Sequence, residues 1–432
     1  MKNLIKIFCA TAILVHFYAT NLYPRSGPFD GKNFKGRIAY SADGNYNDED
    51  DWAASPVALA IFAECGVKNK LVHFDYNCIL HETDARWEKE HTTSVLGAAT
   101  KYGYSKSVFY DCRKDLNAAI ESIKNSINES SADNPLYFIL AGPMEVPYLG
   151  IQKSDPGKRQ FVYCISHSRW NDGYANEDFV HHNKRHVIPL GITWVQITDQ
   201  NKFLTTSPYG RPAKSDEWRP WYWMRDSNDP KVRFLWDRMR TTARADCSDA
   251  GMAYFLMTGD EESEITKLIK LLDGNTIPTP IGARKNVRIE AENFRTLDNY
   301  EVEQRNDRSA SHRLSTRLVS VTTGRIRTPF NQFYTADSGR YNVDIRYFDE
   351  EDGRSEFRFY VNGIRKGDTW NASGDDKSWK TRTISDVIIN TGDEIIVEVR
   401  GDSGEYGKLD YVQLNYISSN ANAADSPIAA NY

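Results

Sequence analysis

The sequence predicts an α/β domain followed by an all-β sandwich, and three observations carry that reading. Between residues 33 and 274, short apolar runs alternate with stretches of helical apolar spacing. That is the pattern of a mostly parallel sheet with helices on both faces. A Pro- and Gly-rich stretch, Asp273-Gly-Asn-Thr-Ile-Pro-Thr-Pro-Ile-Gly282, then breaks the pattern and places a linker over residues 275–286. From residue 287 to 417 the chain turns to short alternating strands, separated by turn residues at the intervals of a sandwich. A chain of 432 residues suffices for two such domains.

The first 20 residues read as a secretory signal peptide. Lys2 and Lys6 precede an apolar run too short to span a bilayer, and cleavage is expected near Ala19-Thr20. The mature chain is therefore expected outside the cytoplasm, with no membrane span. It keeps five scattered cysteines, Cys65, Cys78, Cys112, Cys164 and Cys247. An odd, dispersed set is no disulfide framework, although an exported chain could still form one or two bridges. A net charge of -5 argues against a nucleic-acid binder. Aromatic residues make up 12%, more than core packing demands, and suit sugar faces or protein partners. Residues 418–432, rich in Ala, Asn and Ser, read as a disordered tail, and a monomer is expected.

In the first domain, Gly36-Arg-Ile-Ala-Tyr40 reads as a strand and Ala53 to Ala63 as a small-residue apolar helix. Between them stands Ser41-Ala-Asp-Gly-Asn-Tyr-Asn-Asp-Glu-Asp-Asp-Trp52. Asp43, Asp48, Glu49, Asp50 and Asp51 lie there with Asn45 and Asn47. A helix-capping role explains one Asp at such a place. This many carboxylates repel unless a cation, shared protons or substrate hydroxyls relieve them, so the density marks a site and admits a divalent cation.

Strands then follow at Lys70–Asp75, Ser107–Asp111, Leu136–Ala141, Phe161–Ile165 and Ile188–Ile197, with helices at Glu82–Lys101 and Leu116–Ile127. Leu136-Tyr-Phe-Ile-Leu-Ala141 is apolar throughout, as a central parallel strand requires, and opens into a loop with Glu145. After the next strand come His167, Arg169, Trp170, Asn171 and Asp172. His181, His182 and His186 read as surface histidines, since no carboxylate spacing completes a metal site. The aromatic-rich segment from Pro208 to Met224, with Glu217 and Trp221, reads equally as a buried plug or a sugar-lined wall. An acidic turn, Arg244-Ala-Asp-Cys-Ser-Asp249, leads into a helix that Asp246 or Ser248 could equally be capping.

Three of these loops give a resemblance to the nucleoside-hydrolase-like superfamily. That family opens on Asp-x-Asp-x-Gly-x-Asp-Asp, matched here by Asp43 and Asp50-Asp51, with Ser41 in place of the first Asp and three extra residues. Gly142-Pro143 resembles its Gly-Pro-Leu-Thr-Asn strand end, and Asp249 (or Asp246) its late Asp. The resemblance implies a doubly wound sheet whose carboxyl edge holds metal and sugar. A fainter resemblance is to glycoside hydrolase family 118 agarases.

The sandwich is similar to carbohydrate-binding modules of families 6 and 35. The residues are Ile289-Glu-Ala-Glu-Asn-Phe294, Ser338 to Tyr347, and Leu409-Asp-Tyr-Val-Gln-Leu414. The resemblance implies a jelly-roll fold, a structural calcium on Glu290, Glu292 and Asp410, and an apical sugar site in which Trp379 fits best, then Trp370 and Tyr406.

Together these features predict a secreted polysaccharide hydrolase, with agar-type galactan as the first substrate expected. An inverting glycosidase needs an acid and a base about 6.5–9.5 Å apart, which separate sheet loops provide. Asp43, Asp50, Asp51 and Asp249 are expected to activate water, and Glu145, Asp172 or Glu217 to protonate the leaving oxygen. Asn45, Asn47, Trp52, His167, Arg169, Trp170, Asn171, Trp221 and Trp379 are the expected substrate contacts. The alternatives are an exported nucleosidase and a non-catalytic glycan-binding surface protein.

Overall fold

The computed structural model describes residues 34–46, 48–81, 83–174, 181–274, 276, 286–303, 309–311, 314–330 and 338–419. The segment expected as a signal peptide, Asn47, most of the linker and residues 420–432 lie outside them.

Six parallel strands form the first sheet: β1 (Arg37–Ala42), β2 (Leu71–Tyr76), β3 (Phe109–Asp111), β4 (Leu136–Ala141), β5 (Val162–Ser166) and β6 (Thr193–Gln196). Their spatial order is β3-β2-β1-β4-β5-β6. Both β1 and β4 are buried along their whole length, which is why Leu136–Ala141 is apolar without alternation. The pleat still sorts their side chains. Ile38, Tyr40, Tyr137 and Ile139 join one core, while Ala39, Leu136, Phe138 and Leu140 join the other.

The first core holds α1 (Asp51–Glu64), α2 (Ala85–Tyr102) and the later helices Pro230–Thr241, Ala250–Thr258 and Ile265–Leu272. The second holds α3 (Leu116–Asn128) and α4 (Glu145–Lys153). Helix α1 is buried from Asp51 to Phe62, sandwiched between the sheet and its neighbours, so it is apolar all round. The expected strand over 188–197 is shorter than its apolar pattern suggests. Short helical turns occupy Lys184–Leu190, and only Thr193–Gln196 pairs, with β5. The segment around Glu145, expected as a loop, is the first turn of α4.

The second domain is a sandwich of two antiparallel sheets. Its strands are β7 (Val287–Glu290), β8 (Thr296–Asp298), β9 (Tyr300–Val302), β10 (Thr316–Leu318), β11 (Thr323–Pro329), β12 (Gly339–Asp349), β13 (Glu356–Val361), β14 (Ile364–Asn371), β15 (Ser378–Ile389), β16 (Glu394–Arg400) and β17 (Leu409–Ser419). One sheet runs β15-β12-β17-β10-β9, with β7 also on β17, and the other runs β14-β13-β16-β11-β8. The first and last strands lie side by side, with Glu290 opposite Tyr411. Strand β17 continues to Ser419, two residues beyond the expected end of the sandwich.

The two domains touch where β6 meets the start of the sandwich. Arg295 donates to Thr193 Oγ1 at 2.5 Å, and Lys184 Nζ lies 3.9 Å from Glu292. The five cysteines among the described residues are free and buried. Among the described residues no helix is long and apolar enough to cross a membrane.

Candidate functional site

Strand order reverses between β1 and β4, so the loops leaving their carboxyl ends diverge and open a crevice. Asp43 is the first residue beyond β1 and sits on that crevice. Its loop is pinned at several points. The Asn45 side chain donates to the Ile79 carbonyl at 3.0 Å and accepts from its N–H at 3.2 Å. Trp52 Nε1 donates to the Gly44 carbonyl at 2.5 Å. Across the crevice only glycine fits at position 142. A Cβ there would lie 2.9 Å from Cys78 Sγ and 3.0 Å from the Asp43 nitrogen.

The acidic residues predicted from the sequence do come together. Asp51 Oδ2 accepts the Asp43 N–H at 3.2 Å. Neither oxygen of Asp43, nor Asp51 Oδ1, accepts a hydrogen bond from a protein donor, although both residues are fully buried. Burial raises the Asp43 carboxyl to about 7, with Asp249 and Asp50 adding to the rise and hydrogen bonding with Asp51 opposing it. Asp51 is held well above the usual carboxylate range by burial, then by Asp249 and Asp43. A shared proton relieves such a pair. Asp246 belongs to the same group, raised to about 7 by burial and then by Asp50.

Two further residues organise this group, and sequence reasoning assigned a role to only one of them. Arg244 Nη1 lies 3.3 Å from Asp50 and 3.9 Å from Glu49, and its Nη2 lies 3.8 Å from Asp246. Exposed Tyr209 covers the guanidinium, 4.7 Å from ring centre to carbon. The signal for Arg244 was its place beside the acidic turn. His167, an expected substrate contact, instead reaches Asp249, with Nε2 to Oδ1 at 2.8 Å. Burial lowers the His167 pKa, but Asp199 and Asp249 outweigh it and raise it to about 10. The Gln200 N–H also points at Nδ1, at 3.2 Å, which a ring protonated only on Nε2 accepts. In either form Nε2 donates to Asp249.

Other expected contacts fall elsewhere. Trp52 and Trp221 are buried, Trp221 donating to Thr206 Oγ1 at 2.8 Å, so neither presents a face to a sugar. Trp221 belongs to the first core, so the plug reading of the Pro208–Met224 segment holds there, whereas Trp52 stands edge-on to Trp87 at 5.6 Å. Asn171 is buried, whereas Arg169 and Trp170 are exposed, with Trp170 tilted against Tyr174 at 4.5 Å. Glu145 accepts from the N–H groups of His181 and His182 at 2.9 and 3.0 Å and pairs with the His182 ring at 3.0 Å. It clamps that segment. Glu217 is paired with Arg211, which with the Lys214 N–H pulls its carboxyl down to about 2 and keeps it ionised. Asp172 is buried, accepts from Ser166 Oγ at 2.5 Å, and is raised by burial against the pull of Lys184. It therefore retains a proton more readily than Glu217. Trp379, half-buried, donates to Ser309 Oγ at 2.9 Å and has Arg346 5.0 Å from its ring.

No three His, Cys, Asp or Glu side chains converge in metal-binding geometry among the described residues. The donor chemistry still fits a hard cation in two places. At the crevice the undonated oxygens belong to Asp43 and Asp51, while Ser41 turns away to donate to Asp75 at 2.7 Å. In the sandwich both Glu292 oxygens lack a hydrogen-bond donor. Burial raises Glu292 to about 8, and Glu290 to about 7. Asp410 is committed to the Ser311 N–H and to an ion pair with Arg346.

No family model matches the chain. It is 29% identical over 263 residues to uncharacterized protein P22 of Formosa agariphila, covering 56% of this chain and 92% of that one. Among solved structures it is similar to a family 35 carbohydrate-binding module from Clostridium thermocellum. The identity is 20%, over 31% of this chain and 100% of that one, with a TM-score of 0.25. A second family 35 module, from Paenibacillus barcinonensis, is 23% identical over 30% and 98%, also with a TM-score of 0.25. A Podospora anserina mannanase carrying such a module is 19% identical over 31% of this chain, with a TM-score of 0.26. This chain spans only 28% of the length of that enzyme.

Proposed function

We propose that the protein is an exported, monomeric glycoside hydrolase that cleaves a polysaccharide by inversion, with an agar-type galactan as the first substrate to test. The observation that carries this reading is the Asp43 carboxyl, with both oxygens buried, undonated and flanked by Asp51 and Asp249 at the strand-order switch. A carboxyl titrating near neutrality exchanges protons at working pH, as general acid–base chemistry requires. The same crevice in many sheets of this strand order holds nucleotide phosphates on glycine-rich turns. Here the carboxylates would repel them.

In this reading Asp43 and Asp51 share a proton, and the ionised partner takes one from the attacking water. Asp249, held by His167, and Asp50, held by Arg244, set the field around that pair. Asp172 delivers a proton to the leaving oxygen. A divalent cation at the crevice would be held by Asp43 and Asp51 and would supply charge neutralisation to a bound hydroxyl. A structural calcium in the sandwich would be held by Glu290 and Glu292, replacing their protons. The α/β domain carries the chemistry and the sandwich holds the glycan.

The test is incubation of the full chain with agar, other polysaccharides and nucleosides, reading reducing ends and free base, with Asp43→Asn as control. Reducing ends that vanish in the variant support the reading, and NMR of the first-formed anomer checks inversion. Release of free base makes the protein a nucleosidase. Neither product, on a folded chain, makes it a glycan-binding protein.

A further inference from the structure

A cavity of about 560 Å³ lies between the two domains, a volume within the range of small-molecule sites. One wall is the carboxyl edge of β5 and β6, and the other is the sandwich, which contributes Val302 and Leu314. His167 lies on this wall and reaches back to Asp249, so the cavity adjoins the acidic crevice.

Four acids and four Lys or Arg side chains line it, but they are not paired with one another throughout. The acids lining it each have a neighbour, although Glu292 has only the distant Lys184 and no hydrogen-bond donor. Asp172 accepts from Ser166, Asp199 lies 3.6 Å from His167, Glu303 lies 3.3 Å from Lys408, and Glu292 lies 3.9 Å from Lys184. Three cations lining it, Arg169, Arg185 and Lys202, form no ion pair among the described residues, and Arg185 Nε is buried without an acceptor. They come from three places along the chain, each about 16 residues from the next, and converge on one cavity that also offers apolar surface. An isolated surface arginine is solvated and says nothing. Three unpaired cations around one concave site favour an anion, because guanidinium pairs with carboxylate or sulfate through charge-assisted, directional hydrogen bonds.

We propose that the interdomain cavity binds an acidic sugar residue of the polysaccharide, one carrying a carboxylate or a sulfate ester. The proposal rests on the glycoside hydrolase reading for the polymer but not for the anion. The apolar side chains of the sandwich face the sugar ring, and the cations face its charge. The sandwich is then one wall of the substrate site as well as an appended module.

Calorimetric titration of the full-length Asp43→Asn protein tests this without turnover. The probes are tetrasaccharides of galacturonic acid, of a sulfated galactan and of neutral agarose, at low and raised salt. At least one acidic probe should bind roughly tenfold or more tighter than the neutral one, and raised salt should shrink the margin. Whichever acidic probe prevails identifies the anion. Adding Arg169→Gln and Lys202→Gln should bring the acidic-to-neutral ratio towards one, with an unchanged melting temperature. Arg185→Gln, made separately, should do the same. Acidic probes that bind no tighter than the neutral one, or not at all, overturn the proposal, as does a ratio unmoved by the substitutions. Acidic binding by a chain that never yields reducing ends from any polymer overturns the hydrolase reading and leaves the cavity assignment standing.

Discussion

Asp43→Asn separates activity from stability, and the sign of each effect follows from burial. The native carboxyl titrates near 7 in the folded chain against 3.8 as a free side chain. Between those values the folded state holds a proton that the unfolded state has released. Stability therefore falls as pH rises from about 4 to 7, and the loss is complete above 7. A difference of this size corresponds to about 4 kcal/mol, an upper figure because Asp51 shares the proton. Asparagine keeps the shape, removes the charge and can donate to the orphaned Asp51 oxygen. The variant should thus match the wild type in urea unfolding at pH 4 and exceed it at pH 8, by up to about 4 kcal/mol. Turnover should fall at least about 10²-fold at both pH values. A variant destabilised equally at both would show that Asp43 is an ordinary hydrogen-bonded carboxylate, and the reasoning about the crevice would collapse.

Arg244→Gln should act in the opposite sense, costing about 3–5 kcal/mol at pH 8 because Asp50 loses its guanidinium at 3.3 Å. At pH 5 the loss should shrink, since Asp246, at about 7, is already protonated there and presents no charge for Arg244 to balance; urea midpoints at the two pH values check this. His167→Gln removes a group whose pKa rises from 6.5 to about 10 on folding. Its stabilising contribution is whole below about pH 6.5 and lost as pH rises through 10, so the variant should be destabilised at pH 6 and near wild type above pH 10 by thermal melts. Chelator should lower the melting temperature of the full chain if calcium sits on Glu290 and Glu292, by an amount equivalent to roughly 2.7 kcal/mol at a hundredfold excess of ion over Kd. Glu292→Gln should abolish that sensitivity, and an identical melt with and without chelator would return both acids to their protonated state.

Much of the architecture was legible along the chain because its causes are local. Leu136–Ala141 is apolar at every position, and only a strand covered on both faces has that pattern. The alternation in β12, Gly339 to Asp349, follows equally from one buried and one exposed face. The density of carboxylates before α1 showed that their charge needed relief, whatever the fold. Asp43, Asp50, Asp51 and Asp249 accordingly meet.

What the tertiary structure alone decided are the pairings between distant segments. Arg244 lies about 200 residues from Asp50, and nothing in either neighbourhood says that one will face the other. Glu145 looked as available as Asp172, until α4 aimed it at the His181 and His182 amides. An indole reads the same in sequence whether it lines a cleft or fills a core. Trp221 went inside because the Pro208–Met224 segment packs against the remaining helices, and Trp52 because its indole is held between the Gly44 carbonyl and Trp87. The interdomain cavity is the furthest from sequence, since its lining is drawn from both domains. Local composition determines which segments must be buried and where charge accumulates. Long-range packing determines which charges face each other, and in this protein the candidate chemistry lies in that second step.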